Sequence, residues 1–285
     1  MLKGALAAAV TPLRDGGAAL DEDAFEPLVD FFAAAGLDGL LAFGTNGEGI
    51  LLTVEERKRG LRLFLDASGG RLAVAAHCGA QTTADTVTLA ADAADAGADA
   101  VAVIGPPYFA LDPAAQLAHL SAAAHACSPV PFYVYEFART SGYPIALDVL
   151  RRLREVAPNF TGLKVSDTPW EAFEPYVLEG LDVFVGPEAL IHLGMAAGAA
   201  GAVSALASAF PEEVAAVVRD PTEAAAAAIG ALRSAVEGFP RQAAMKRIVA
   251  ARGLPIRPDV RAPLRDLDAD EIARFDAWLA TRAAA

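Results

Sequence analysis

Short apolar runs rich in Val, Leu and Ala alternate along the chain with segments whose apolar residues recur at spacings of three and four. Eight runs stand out in order: ALAAAV, LDGLLAFG, LAVAAHCG, ADAVAVIG, VPFYVYEF, FTGLKVS, LDVFVG and GAAGAVSA. Their apolar character is continuous rather than alternating, as in the buried strands of a parallel sheet. Helical signals lie between them. Asp21 precedes Phe25, Leu28, Val29 and Phe32, a series ended by Gly36, and Thr53 and Glu56 form a capping-box pair ahead of Leu61 and Leu65. Further helices are expected near 82–96, 113–126, 145–156, 169–179, 188–197 and 209–218. Eight strand–helix units in about 200 residues predict an α/β fold, a closed (β/α)8 TIM barrel, with a doubly wound open sheet as the alternative. After residue 220 only helical patterns remain: PTEAAAAAIGALRSAV, PRQAAMKRIVAA and DADEIARFDAWLA. The expected division is a catalytic barrel over 1–220 and a C-terminal helical extension over 221–285.

Composition narrows the function classes. A chain of 285 residues, 54% hydrophobic, has enough apolar material for one large core. A formal net charge of −13 argues against nucleic acid and anionic membrane surfaces, which are held by clustered Lys and Arg. No run is apolar for long enough to span a bilayer, and the start MLKGALAAAVTPLRDGG has a short apolar run and no clear cleavage site, so a cytoplasmic address is expected. Cys78 and Cys127 belong to no CxxC or Cys/His cluster and read as small buried hydrophobes.

Candidate chemistry begins with FTGLKVSDT (160–168), where a lysine interrupts a buried strand. An unpartnered buried ammonium is costly, so its placement calls for a use. The other three lysines have ordinary surroundings: Lys3 is near the terminus, and Lys58 and Lys246 sit in helix-like, polar-flanked stretches. In a parallel barrel the site lies at the C-terminal ends of the strands, where GTNGEG (44–49), GPPYF (105–109) and VYEFARTSG (134–142) also fall. Strand alternation puts Gly162, Lys164 and Ser166 on one face, and Tyr133, Tyr135 and Phe137 on one face of the neighbouring strand. Desolvation disfavours an ammonium, and a neutral amine attacks a ketone to give a Schiff base whose iminium acts as an electron sink. A tyrosine in reach can relay the protons. The plainer alternatives are a Lys164 that snorkels to the rim or pairs with Asp167 or Glu188, and a Tyr135 that is a core residue. GTNGEG reads either as a strand-to-helix turn or as a carboxylate site, with backbone N–H groups exposed by glycine and donors from Thr45 and Asn46.

GTNGE, PPY, the tyrosine and arginine of YEFART, GLK and the closing GxxGAVS together resemble the class I pyruvate-dependent aldolases, the superfamily of dihydrodipicolinate synthase and N-acetylneuraminate lyase. The similarity runs in order over nearly the whole chain. It implies a homo-oligomeric TIM barrel, dimer or tetramer, in which Lys164 forms the Schiff base with pyruvate and Tyr135 is the catalytic tyrosine. It implies that Thr45 and Asn46 bind the pyruvate carboxylate, and that Thr45 links Tyr135 to Tyr108 in a relay whose tyrosine comes, in the synthase branch, from a partner subunit. Val203 matches a position with its carbonyl near pyruvate, and Arg139 the arginine that receives the carboxylate of the second substrate. Departures are Asn46 for the usual Thr or Ser, YEFA for YNxP with Glu136 and Ala138, Pro107 in the tyrosine pair of strand four, and His77 at the end of strand three. Pro107, with Gly49, Ile50 and Gln81, does not match a lysine-feedback site, so no lysine inhibition is expected. His77 is left outside the catalytic set, as a satisfied structural histidine.

The expected activity is that of a lyase acting on pyruvate and an aldehyde, 4-hydroxy-tetrahydrodipicolinate synthase-like because of Arg139. The alternative is a 2-keto-3-deoxy sugar acid or 4-hydroxy-2-oxoglutarate aldolase or dehydratase, favoured by YEFA and Asn46. A non-catalytic 2-oxo acid binding barrel needs no relay, and a phosphate-binding barrel would use the glycines of GPEAL and GAAGAVSAL. No metal, nucleotide or other cofactor is implied.

Overall fold

A computed structural model describes residues 2–283. The eight apolar runs form eight parallel strands: β1 (Gly4–Ala8), β2 (Gly39–Ala42), β3 (Ala73–His77), β4 (Ala100–Ile104), β5 (Phe132–Glu136), β6 (Phe160–Val165), β7 (Asp182–Val185) and β8 (Gly201–Ser204). They are hydrogen-bonded in sequence order, and β8 pairs with β1 through Gly4–Gly201 and Leu6–Val203, so the sheet closes and the open-sheet alternative is set aside. Both strand faces are apolar because each meets a core. Leu6, Leu41, Tyr133, Phe184 and Val203 fill the interior beside the small Ala75, Ala100 and Ala102, while the opposite parity packs against helices.

The covering helices are α1 (Phe25–Ala34), α2 (Val54–Ser68), α3 (Thr83–Asp95), α4 (Pro113–Ala126), α5 (Leu147–Val156), the single turn α6 (Trp170–Phe173), α7 (Ile191–Ala196) and α8 (Pro211–Arg219). The Thr53–Glu56 capping box forms at the start of α2 in both directions. Asp21 does not cap α1; a 3-10 turn, Glu22–Ala24, intervenes, and Asp21 meets Arg257 at 3.2 Å instead. The helix expected over 169–179 is cut to one turn followed by a 3-10 turn, Glu174–Tyr176, because Pro175 lacks the N–H a continuing helix needs. The motif RDGG turns a small hairpin between Leu13–Arg14 and Ala19–Leu20.

Three further helices follow: α9 (Glu223–Glu237), α10 (Arg241–Ala251) and α11 (Ala269–Ala283). Ile229, Val236, Ile248, Val249 and Phe275 belong to the same apolar cluster as the outer faces of the strands. Among the described residues no helix is long and apolar enough to cross a membrane.

One correction concerns Lys246. It is not on a polar surface: with Glu48 it forms a 2.6 Å ion pair in which both side chains are fully buried. Its ammonium also donates to the Asp259 carbonyl at 2.6 Å, and the other Glu48 oxygen accepts the Arg261 N–H at 2.6 Å. Burial outweighs the pull of Glu48 and holds the Lys246 pKa below that of a free lysine. Removing one partner strands the other charge in the core, so Glu48→Gln or Lys246→Met is expected to cost about 3–5 kcal/mol in denaturant unfolding, with the double replacement losing less than the two single losses summed.

Candidate functional site

The parity rule brings the central pair together. Tyr135 on β5 and Lys164 on β6 are direct partners in the sheet register, and Lys164 Nζ lies 3.8 Å from the centroid of the Tyr135 ring. Both are almost wholly buried, at 2% and 6% exposure. Lys164 also borders a small cavity in the interior layer with Leu6, Leu41, Tyr133 and Phe184. Among the described residues no carboxylate pairs with Lys164. Asp167 instead accepts the Ala138 N–H at 3.0 Å, and Glu188 binds Ser204 Oγ at 2.6 Å and Arg233 at 3.2 Å. The ion-pair alternatives for Lys164 are therefore set aside.

The Thr45 and Tyr135 hydroxyls hydrogen-bond at 3.3 Å. Burial raises the Tyr135 pKa, but the Lys164 charge and hydrogen bonds from Thr45, Ser166 and Lys164 outweigh it, and the phenol lies below its ordinary value. Asn46 and Val203 line the same cavity, with Ser166 and Gly186. The Asn46 side chain brings no spare donor: its Nδ2 is committed to the Ala8 carbonyl at 2.8 Å and to Ser208 Oγ at 3.4 Å. The backbone supplies donors instead. Among the described residues the N–H groups of Thr45, Asn46 and Gly47 have no hydrogen-bond acceptor, which leaves a row of donors at the turn. Glycine is required there by space, since a Cβ at Gly47 would stand 2.7 Å from the Ala9 carbonyl oxygen and one at Gly49 only 1.8 Å from that of Phe43.

Two expected residues lie apart from this cluster. Tyr108 is 87% exposed at φ +87°, its ring edge-on to Phe109, and does not reach Thr45 within the chain. Arg139 is exposed on the turn Ala138–Ser141, its guanidinium 5.7 Å from the Phe137 ring centroid, on the wall of an outer cleft of about 280 Å3. That cleft shares Phe137, Ser166, Gly186 and Arg233 with the inner cavity of about 40 Å3 at Lys164.

Two arginines of the C-terminal helices were invisible as site residues: Arg233 of α9 and Arg241 of α10 line the inner cavity. Charges on alanine-rich helices read as solvated, and nothing in the local pattern marks these two as turned inward.

His77 and Glu136 are structural. His77 Nε2 accepts the Ile104 N–H at 3.3 Å, which leaves Nδ1 to donate to the Phe43 carbonyl at 3.1 Å. Burial, with the charges of Arg57 and Lys164, holds this imidazole neutral, well below its usual pKa. Glu136 follows Tyr135 and so faces outward. One oxygen accepts the Ile145 N–H at 2.8 Å, and burial with the adjacent Asp167 pushes its pKa to about 9. Its other oxygen has no partner as a carboxylate. At neutral pH this side chain is therefore a neutral acid.

A closed parallel barrel with a buried, unpaired lysine against a tyrosine at the strand ends is the arrangement of a class I aldolase-type lyase. The chain belongs to the dihydrodipicolinate synthetase family, whose model matches residues 1–281. It is 34% identical over 275 residues to a DapA-like lyase of Halobacterium salinarum, covering 93% of this chain and 90% of that protein. It is 31% identical over 280 residues to the 4-hydroxy-tetrahydrodipicolinate synthase of Salinibacter ruber, covering 94% and 91%. Among solved structures the N-acetylneuraminate lyase of Proteus mirabilis superposes with a TM-score of 0.88 at 28% identity, covering 98% of both chains. The family's members are class I aldolase-type lyases.

The Glu136 environment gives a pH-dependent outcome. Its folded pKa lies above the unfolded value, so its stabilising contribution is complete below about 4.5 and is lost as pH rises through about 9. Glu136→Gln keeps a neutral group there. Melting temperatures taken across this range should show the variant gaining on the native protein as pH rises; a constant difference would mean that Glu136 is already ionised in the fold.

Proposed function

We propose that the protein makes or breaks a carbon–carbon bond in a 2-oxo acid through an imine between Lys164 and C2 of pyruvate, with an aldehyde as the other reactant. The observation that carries this is the buried, unpaired Lys164 amine 3.8 Å from the ring centroid of a tyrosine whose hydroxyl meets Thr45. In this reading the carboxylate of the 2-oxo acid sits on the free N–H groups of Thr45, Asn46 and Gly47 with the Thr45 hydroxyl, which replaces the side-chain role expected of Asn46. The Lys164 amine adds to C2, and its surplus proton passes through Tyr135 Oη to the C2 oxygen, giving a carbinolamine. Tyr135 Oη then protonates the departing hydroxyl, and water leaves as the C=N bond forms. The Tyr135 phenolate left by that step takes a C3 proton to give the enamine, whose C3 bonds to the aldehyde carbon as Tyr135 Oη returns the proton to the aldehyde oxygen. Water finally attacks the imine and frees Lys164.

A longer acceptor, as in a 4-hydroxy-tetrahydrodipicolinate synthase-like reaction, extends into the outer cleft, where Arg139 is placed to meet its carboxylate at the lip. An exposed aromatic pair, Tyr108 and Phe109, supports assembly into a homo-oligomer in which Tyr108 extends the relay of a second copy. The aldolase reading for shorter or sugar-derived acids has one observation in its favour, the inner-cavity arginines, taken up below. A binding barrel without turnover leaves the Thr45–Tyr135 contact without a purpose.

Incubation with pyruvate and borohydride should add a reduced pyruvyl group to the native chain, read by intact mass, and none to Lys164→Ala. Tyr135→Phe should still be trapped on long incubation while turnover falls by about 10²–10⁴, the usual weight of a positioned proton-transfer group. A pyruvyl adduct on Lys164→Ala would place the imine elsewhere, and no adduct on the native chain would remove the reading.

A further inference from the structure

Arg241 is a half-buried cation, its side chain 20% exposed, with almost nothing to hold. Among the described residues its guanidinium makes no hydrogen bond, and its Nε is buried without a partner. The carboxylate within ion-pair range is Glu237, at 3.7 Å, and that same oxygen lies 2.8 Å from Arg233. Glu188 cannot compensate. It is already engaged by Ser204 Oγ, the Leu206 N–H and Arg233. Arg241 nevertheless lines the cavity that contains Lys164, Tyr135 and Thr45, and no Asp or Glu lines that cavity. Its neighbour Gln242 donates to the Thr45 carbonyl at 3.3 Å, which ties this end of α10 to the turn. A partly desolvated guanidinium whose buried Nε has no acceptor gains most from an arriving anion, and its planar fork suits a carboxylate.

We propose that Arg241, backed by Arg233, binds a second carboxylate of the substrate and makes the enzyme selective for a short aldehydo acid. This rests on the imine reading above. The 2-oxo acid's own carboxylate is met by the backbone donors at Thr45–Gly47, which leaves the guanidinium for the acid group of the other reactant. A two-carbon acceptor joined to the enamine carbon keeps its carboxylate within the inner cavity. Arg139, exposed on the wall of the outer cleft, is reached only by a longer chain. The substrate class is then a five-carbon 2-oxo dicarboxylate with a hydroxyl at C4.

Glyoxylate and glycolaldehyde test this, because they match in length and differ in the carboxylate. Arg241→Gln should lower kcat/KM for pyruvate plus glyoxylate on the order of 10- to 100-fold, the weight of a hydrogen bond to a charged group, while glycolaldehyde turnover and borohydride trapping of pyruvate stay at native levels. Arg241→Lys should recover part of the glyoxylate loss, and native-like melting of both variants separates recognition from misfolding. Equal losses on the two aldehydes, a loss of pyruvate trapping, or no change would overturn the proposal. If the native chain traps no pyruvate, the imine reading falls by itself. Calorimetric titration with malonate then decides the anion site: weaker binding to Arg241→Gln upholds it, and equal binding ends it.

Discussion

The buried pair of Glu48 and Lys246 is the constraint on which the site depends. Glu48 stands in the left-handed region at φ +58°, at the end of the turn that carries Thr45 and Asn46, and its two oxygens are taken by Lys246 and by the Arg261 backbone. An ion pair in a dry interior persists only when its geometry and remaining hydrogen bonds are complete, as they are here. The pair therefore fixes where the turn lies. Phe43 at φ +59°, packed edge-on against Phe64, fixes the other end. Between these two points the chain has little freedom, and the N–H groups of Thr45, Asn46 and Gly47 are left without acceptors because the backbone cannot turn them elsewhere.

A second theme is the sorting of charge. The chain carries a net −13, yet the cavity at Lys164 is lined by cations and by no carboxylate. Each acidic residue near the site is disposed of locally. Asp167 caps the turn at Ala138, Glu188 is held by Ser204, Leu206 and Arg233, and Glu136 is kept as a neutral acid on the outer face of β5. Local groups rather than net charge set the field a small ligand meets, and an acidic protein can present a cationic pocket to an acidic substrate.

Much of this was legible from sequence. Continuous apolar runs mark barrel strands because both strand faces meet a core, and the two-residue period carries Tyr135 and Lys164 to the same interior face. The same period carries Glu136 to the outer face, a placement the sequence leaves open and the structure shows. What could not be read depends on tertiary packing. Lys246, Arg233 and Arg241 sit in stretches with ordinary helical composition, and whether such a side chain meets solvent or a cavity is decided by which helix lies over the barrel mouth. Tyr108 and Arg139 fall at the right strand ends, but each occupies a loop whose path periodicity does not determine.

Two of these unread residues, Lys246 and Arg241, share a helix. Gln242 and Lys246 are four apart on α10 and so lie on one face, with Arg241 beside them at its first turn. From that face the helix donates to the Thr45 carbonyl, neutralises Glu48, and sets a guanidinium on the cavity wall. The barrel supplies the amine and the phenol, whereas the helical extension sets the position of the turn opposite them and adds the charge beside them. A change in the packing of α10 then acts on the Thr45–Gly47 turn and on the cation together, without touching Lys164. On the proposed reading, reactivity and substrate choice fall to different parts of one chain, the first to strands held rigidly by the sheet register and the second to a helix that can vary while the barrel stays closed.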